Sequence, residues 1–461
     1  MKKIFSNNKF WLISLLIGLF AASITFIGCK SNDYSATAPI SVNAVYLENA
    51  KSDVPDRLVT FVRLGSAIRI EGTGFSGLKK VYINGYDTYF NPSFVTDNSM
   101  LISVSGYTPT IDAASGTRNT IRFVKDGTEF TYSFEIRSAA PSITSISNTL
   151  PAAGDTITIY GTGLTEISKI TFPGSVVVSQ GIISDKLGTY CKVVIPAGLT
   201  KSGSILVQGS NGGAYSPAYF YCKSGVILNF DDIGSQGYWS WTSTGSMINN
   251  TDLESAAVVG APVASQGKYC AHRPSRIAQF PAAKNRISEV WTSGSGTTDD
   301  WRTYLTSLVP TTTAVSNFAF QFDIYVPNEW NNTGFLKICL MNNFNGGEWS
   351  GTCYNYVPWI VNGVTTPFKT KGWVTVTIPF SNFYAFSSTS TTYTFEDVIT
   401  AREKATYKNF GIYFENSDIK LSTITGKTTD TTVFTSSATS VSVYTDNWRI
   451  VPLTQPTYSD Y

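Results

Sequence analysis

Histidine is almost absent: His272 is the one imidazole in 461 residues. That scarcity excludes a multi-histidine metal centre and leaves a Ser-His-Asp hydrolase dependent on a single residue. Charge is scarce too, since Asp, Glu, Lys and Arg make up 14% of the chain, against roughly 25% in ordinary soluble domains. With 34 cations, 32 anions and no long run of either sign, an electrostatic nucleic-acid binder is excluded as the default reading. Aromatic residues, by contrast, reach 14%, which argues against a disordered chain. At roughly 150 residues per domain the length suits about three domains.

The long apolar run is confined to the N-terminus. Lys2, Lys3 and Lys9 precede a stretch from Phe10 through Phe20 to Ile27, and Gly28-Cys29 follows. This order resembles the lipobox of bacterial lipoproteins, although Phe26 stands where Leu is usual. The resemblance implies cleavage before Cys29, lipidation of that cysteine and a flexible tether over residues 30–39. A transmembrane anchor is the competing reading, and both place the rest of the chain outside the cytoplasm. Cys191, Cys222, Cys270, Cys339 and Cys353 remain, an odd set that cannot pair fully. Cys191 with Cys222 and Cys339 with Cys353 are candidate disulfides; burial of all five as small apolar residues is the alternative.

Self-comparison gives a repeat. Gly65, Gly72, Gly74 and Gly85 recur at one constant offset as Gly154, Gly161, Gly163 and Gly174. Between them, Ala67 to Glu71 matches Thr156 to Tyr160, and Val81-Tyr82-Ile83 matches Ile170-Thr171-Phe172, all with strand-like alternation. Asp126-Gly127 and Asn211-Gly212 mark tight hairpins. Each copy therefore reads as a small β-sandwich, over residues 40–138 and 139–223. The Gly-x-Gly elements at Gly72 and Gly161 lie between strands with no helix behind them, so they are turn glycines rather than phosphate loops. Their setting resembles the IPT/TIG family of immunoglobulin-like domains, which implies a spacer role.

The third piece, residues 224–461, differs in composition: every tryptophan after Trp11 lies in it. Phe318 to Val326 alternates strictly, with Gln321, Asp323 and Tyr325 opposite the apolar set, and Leu336 to Leu340, Val374 to Ile378 and Phe410 to Phe414 split likewise. Tyr413 and Glu415 fall opposite the apolar face of the last of these. Only Phe395 to Tyr407 reads as helical. The expected fold class is all-β: two immunoglobulin-like sandwiches followed by a larger two-sheet sandwich. The opening Leu228-Asn229-Phe230-Asp231-Asp232 and closing Tyr444 to Ile450 resemble jelly-roll carbohydrate-binding modules. Anchor, spacers and terminal module in this order resemble the B-type surface glycan-binding proteins of Bacteroidota polysaccharide-utilisation systems. That resemblance implies non-catalytic capture of a polysaccharide at the outer-membrane surface and hand-over to a TonB-dependent importer.

A neutral glycan is held by aromatic faces against its C–H groups and by a few placed polar groups. Tryptophans in hydrophilic, Gly/Asn-rich segments are the candidates: Trp291, Trp330, Trp349 and Trp359, with Tyr354 and Tyr356 on one strand face and Gln321 and Asp323 reading hydroxyls. Ordinary packing competes at each position, and is preferred for Trp239, Trp241, Trp301 and Trp448. No cofactor is required; Asp231, Asp232 and Asp446 are candidates for a structural calcium, with turn and strand-end roles as the alternative. His272 follows a strand entry and reads as a packed or surface residue. An endo-glycanase would need two carboxylates across the scissile bond; no Glu-x-Asp-x-x-Glu strand motif appears, so the chain reads as a non-enzyme. A protein-binding adhesin is the remaining alternative.

Overall fold

The computed structural model describes residues 38–460 apart from 50–53, 55, 238–247, 249–252, 262–264, 273–283, 343–351, 426 and 440. The chain forms two compact units, the first ending at Ala139 and the second running from Ala140 to Asp460.

The first unit is a sandwich of two four-stranded sheets. One carries Ser41–Glu48, Ala67–Thr73 and Ser99–Ser103 with Arg57–Leu58 at its edge; the other carries Lys80–Ile83, Thr120–Lys125, Thr128–Ser133 and Tyr86–Thr88. Alternation puts Ile68, Ile70, Val81, Ile83, Ile121 and Phe123 in a closed core. The same plan recurs in the second copy, where Thr156–Thr162 pairs with Ser142–Ile146 and Tyr190–Val194, facing a sheet built on Ile167–Phe172 and Leu206–Gly209. The repeated glycines have one explanation each. Gly72 and Gly161 stand opposite a register shift, where a Cβ would overlap the carbonyl of Ser41 or Ser142. Gly65 and Gly154 turn at φ 81° and 91°, Gly85 and Gly174 at 81° and 80°, angles that side chains resist.

The C-terminal domain belongs to the same compact unit as the second sandwich. Its strands are numbered here from its own start. β1 (Val226–Leu228), β2 (Cys270–His272), β4 (Phe318–Tyr325), β7 (Val374–Pro379) and β9 (Val443–Pro452) form sheet one, with β9 and β4 central. β3 (Lys284–Trp291), β8 (Gly411–Asn416), β5 (Phe335–Cys339) and β6 (Cys353–Tyr356) form sheet two in that order. Helix α1 (Phe395–Lys404) starts where the Asp397 carboxylate accepts the Thr394 N–H at 2.8 Å. A short helix at Trp301–Leu305 was not foreseen from the sequence. Phe320, Phe322, Ile324, Leu336, Ile338, Ile412, Phe414 and Trp448 fill the space between the sheets.

His272 is completely buried and ties the two sheets together: Nδ1 lies 2.9 Å from Ser288 Oγ on β3, and Nε2 lies 3.4 Å from Thr445 Oγ1 on β9. Burial, opposed by a Ser288 backbone hydrogen bond, lowers its pKa to about 4. The unfolded chain, with the ordinary value near 6.5, then binds the proton first, so the stability present above pH 6.5 falls as the pH drops towards 4. A loss on the order of 2 kcal/mol is expected between pH 7 and pH 5. The buried carboxyl of Asp446, shifted upward, acts in the opposite sense. The measurement is therefore the difference in urea midpoint between wild type and His272→Asn at each pH, which removes that contribution. Parallel pH profiles for the two proteins would count against a neutral buried His272.

Candidate glycan-binding face

A two-sheet sandwich has two outer faces. That of sheet one is occupied. The second immunoglobulin-like domain packs on it, bringing Ala319 and Val451 into its own core. At the centre lies Arg449, whose Nη2 donates to Asp323 Oδ1 (2.9 Å) and Thr149 Oγ1 (3.0 Å), Nε to Gln321 Oε1 (3.2 Å) and Nη1 to the Asn447 carbonyl (2.6 Å). Thr149 also donates to Gln321, and the Thr375 N–H donates to the Ser147 carbonyl at 2.8 Å. Gln321 and Asp323 thus do point away from the apolar core, as the alternation predicts. They are nevertheless buried under the neighbouring domain and cannot read sugar hydroxyls; this corrects their assignment. Farther along the same face Tyr325 packs with Tyr269, Tyr444 and Trp373.

Four of the predicted platform residues belong to the sandwich interior. The Trp330 and Trp359 indoles both donate to the Gly334 carbonyl, at 3.2 and 2.8 Å, and Trp330 also to Thr333. Their rings pack on Phe414 and Phe434. Tyr354 and Tyr356 do share a face of β6, but it is the core-facing one: Tyr356 meets Phe322 and Phe368, and Tyr354 meets Phe383. The polar flanks of Trp330 serve a turn, with Asn332 and Gly334 both at φ 47°, and not an exposed platform. Trp349, Trp239 and Trp241 lie outside the described residues.

Trp291 is different. It alternates with core-facing Val290 on β3 and lies on the side of sheet two opposite the main core, over Gly411, where a Cβ would overlap its ring, but its side chain is fully buried there. Tyr413 is its neighbour, with ring centroids 6.4 Å apart and planes at 33°. Cys339 and Cys353 complete a small buried floor separate from the main core. Polar groups are set into this floor. Glu289 accepts the Trp291 indole N–H at 2.9 Å, Glu415 accepts the Tyr413 hydroxyl at 3.3 Å, and Lys337 pairs with Glu415 at 3.2 Å. Asn355 stands opposite Lys337, which stands opposite Tyr413. Burial holds the Tyr413 phenol well above its ordinary pKa, so it stays a neutral donor. An apolar aromatic floor with a lysine, carboxylates and an amide is the chemistry that holds a weakly charged, hydroxyl-rich ligand. Tyr413 and Glu415 were visible in the sequence as out of phase with the core; Lys337, Glu289 and Asn355 carried no signal beyond that same period of two.

The carboxylates considered for calcium each have protein hydrogen-bond partners. Asp232 accepts from Asn229 at 2.8 Å and Asp231 from the Lys268 N–H at 2.9 Å, while buried Asp446 takes hydrogen bonds from Ser265 and Asn447. Among the described residues no three His, Cys, Asp or Glu side chains are grouped to hold a metal ion.

The sequence profile described as surface glycan-binding protein B xyloglucan binding domain matches residues 220–452, and the IPT/TIG domain profile matches 141–221. The chain belongs to the B-type surface glycan-binding protein family. An IPT/TIG domain-containing protein of Bacteroides ovatus is 25% identical over 320 residues, covering 69% of this chain and 54% of that one. The chain thus spans about half the length of this curated relative. The fold is similar to that of the surface glycan-binding protein PbSGBP-B from Prevotella bryantii, with a TM-score of 0.62 at 19% identity over 91% of this chain and 100% of that one.

Proposed function

We propose that this protein is a lipoprotein, anchored in the outer membrane through Cys29, that captures a neutral β-linked plant polysaccharide on the outer face of sheet two. The captured chain is passed to a TonB-dependent importer. Among β-glucans, xyloglucan and β-mannans the reading favours xyloglucan, because the profile matching residues 220–452 is that of a xyloglucan-binding domain. The observation that carries the choice of face is that the other outer face is taken by the second immunoglobulin-like domain. Lys337, Glu415 and Asn355, each partly exposed on this face, supply hydrogen bonds to hydroxyls above the buried floor of Trp291 and Tyr413.

Affinity electrophoresis of the chain from Lys30 onward tests this, in gels containing xyloglucan, mixed-linkage β-glucan, laminarin or galactomannan. Xyloglucan is expected to retard the wild type most. Lys337→Ala and Glu415→Gln should each weaken retention about tenfold, the effect of losing a hydrogen bond to a charged group, with unchanged melting of the first immunoglobulin-like domain. Equal retention of both variants would remove this face from the site. Absence of retardation in every gel would favour a protein-binding adhesin.

A further inference from the structure

We infer that Cys339 and Cys353 form a cross-strand disulfide in the exported protein, fastening the edge strand β6 to β5 across the outer face of sheet two. The two residues are direct partners in the antiparallel ladder. The next pair along is hydrogen-bonded, since the Leu340 N–H donates to the Thr352 carbonyl at 3.0 Å. Cys339 and Cys353 therefore occupy a non-hydrogen-bonded position, where Cα atoms approach to about 4.5 Å and side chains stand closest. That separation lies inside the range a disulfide spans. Both are buried thiols in this structure, and their sulfurs lie 2.8 Å apart on the same side of the sheet. No backbone movement is needed to join them.

The surroundings favour the covalent form. Cys339 and Cys353 lie in one row with Gly411 and Trp291, so the bridge continues the floor of the face from Trp291 to the edge strand. Edge strands are held on one side only, and β6 is an edge of sheet two. Burial, with Cys353 alongside, keeps the Cys339 thiol from ionising in the folded sheet. Oxidation therefore precedes closure of the hairpin. One cysteine thiolate attacks a disulfide of an extracytoplasmic thiol oxidase, releasing one oxidase thiolate and leaving a mixed disulfide. The second cysteine thiolate then displaces the oxidase, which departs reduced by two electrons while the two cysteine protons pass to water. Once formed, the bond is shielded from small reductants. The inference rests on export of the chain and not on the identity of the glycan.

The test uses the full chain, exported by a bacterial host, denatured in iodoacetamide without reductant and digested. A linked peptide pair containing Cys339 and Cys353, which separates after reduction, is expected. In parallel, adding a phosphine reductant during unfolding should lower the urea midpoint of the wild type and leave that of the Cys339→Ser/Cys353→Ser protein unchanged. Carbamidomethylation of both residues without prior reduction, or linkage of either to Cys191, Cys222 or Cys270, would overturn the proposal. Glycan retention is measured separately, so loss of the disulfide and loss of the binding face give different results.

Discussion

Arg449→Ala is expected to destabilise the second unit by about 3–5 kcal/mol, the effect of removing one partner of a buried ion pair. Arg449 is fully buried and Asp323 nearly so. Without the guanidinium, Asp323 keeps hydrogen bonds from Thr375 (2.8 Å) and Asn447 (3.0 Å) but loses the cation paired with it at 2.9 Å. Thr149 and Gln321 lose their shared donor as well, so the contact between the immunoglobulin-like and glycan-binding domains loosens at its centre. Urea unfolding followed by tryptophan fluorescence reports this unit, because every tryptophan after Trp11 lies in it. Arg449→Met with Asp323→Leu should recover part of the loss, since no unpaired charge then stays buried. A loss below 1 kcal/mol for the single variant would show that water reaches the network.

That network also shows where sequence reading stops. Strand periodicity correctly turned Gln321 and Asp323 away from the apolar face of β4, because side chains alternate whatever lies beyond them. What covers the opposite side is decided by Thr149, far away in the chain, and by Arg449 on the paired strand. No local pattern contains that information. The glycine repeat was legible for the opposite reason: Gly72 and Gly161 are required by bulges in the strands they pair with, and Gly65 and Gly154 by their own φ angles. Trp330 and Trp359 misled because their Asn/Gly-rich flanks do form turns, while the rings fold inward to a backbone carbonyl at Gly334. Flank composition indicates that a segment turns, without saying which side its ring takes. Trp291 lies in a strand, where alternation sets it opposite core-facing Val290, and its ring is buried as well.

Gly411 in sheet two and Gly334 just ahead of β5 separate binding from packing. Gly411→Ala should weaken glycan retention at least tenfold, equivalent to about 1.4 kcal/mol, because the added methyl would overlap the six-membered ring of Trp291 and lift it from the sheet. Glu289, which holds the indole N–H, and Tyr413, which packs beside it, would then no longer be aligned. Gly334→Ala places the same methyl against Phe414 on the inner side of the sheet, at a residue whose φ of 47° already disfavours a side chain. It should cost about 1–3 kcal/mol of stability, as overpacking does, yet leave the folded protein retained by the polysaccharide. Affinity electrophoresis and urea midpoints of both variants, measured together, make the distinction. Were Gly334→Ala the one to lose retention at temperatures where it is folded, the binding groups would have to lie elsewhere than around Trp291. Loss confined to Gly411→Ala ties recognition to the ring that this glycine admits.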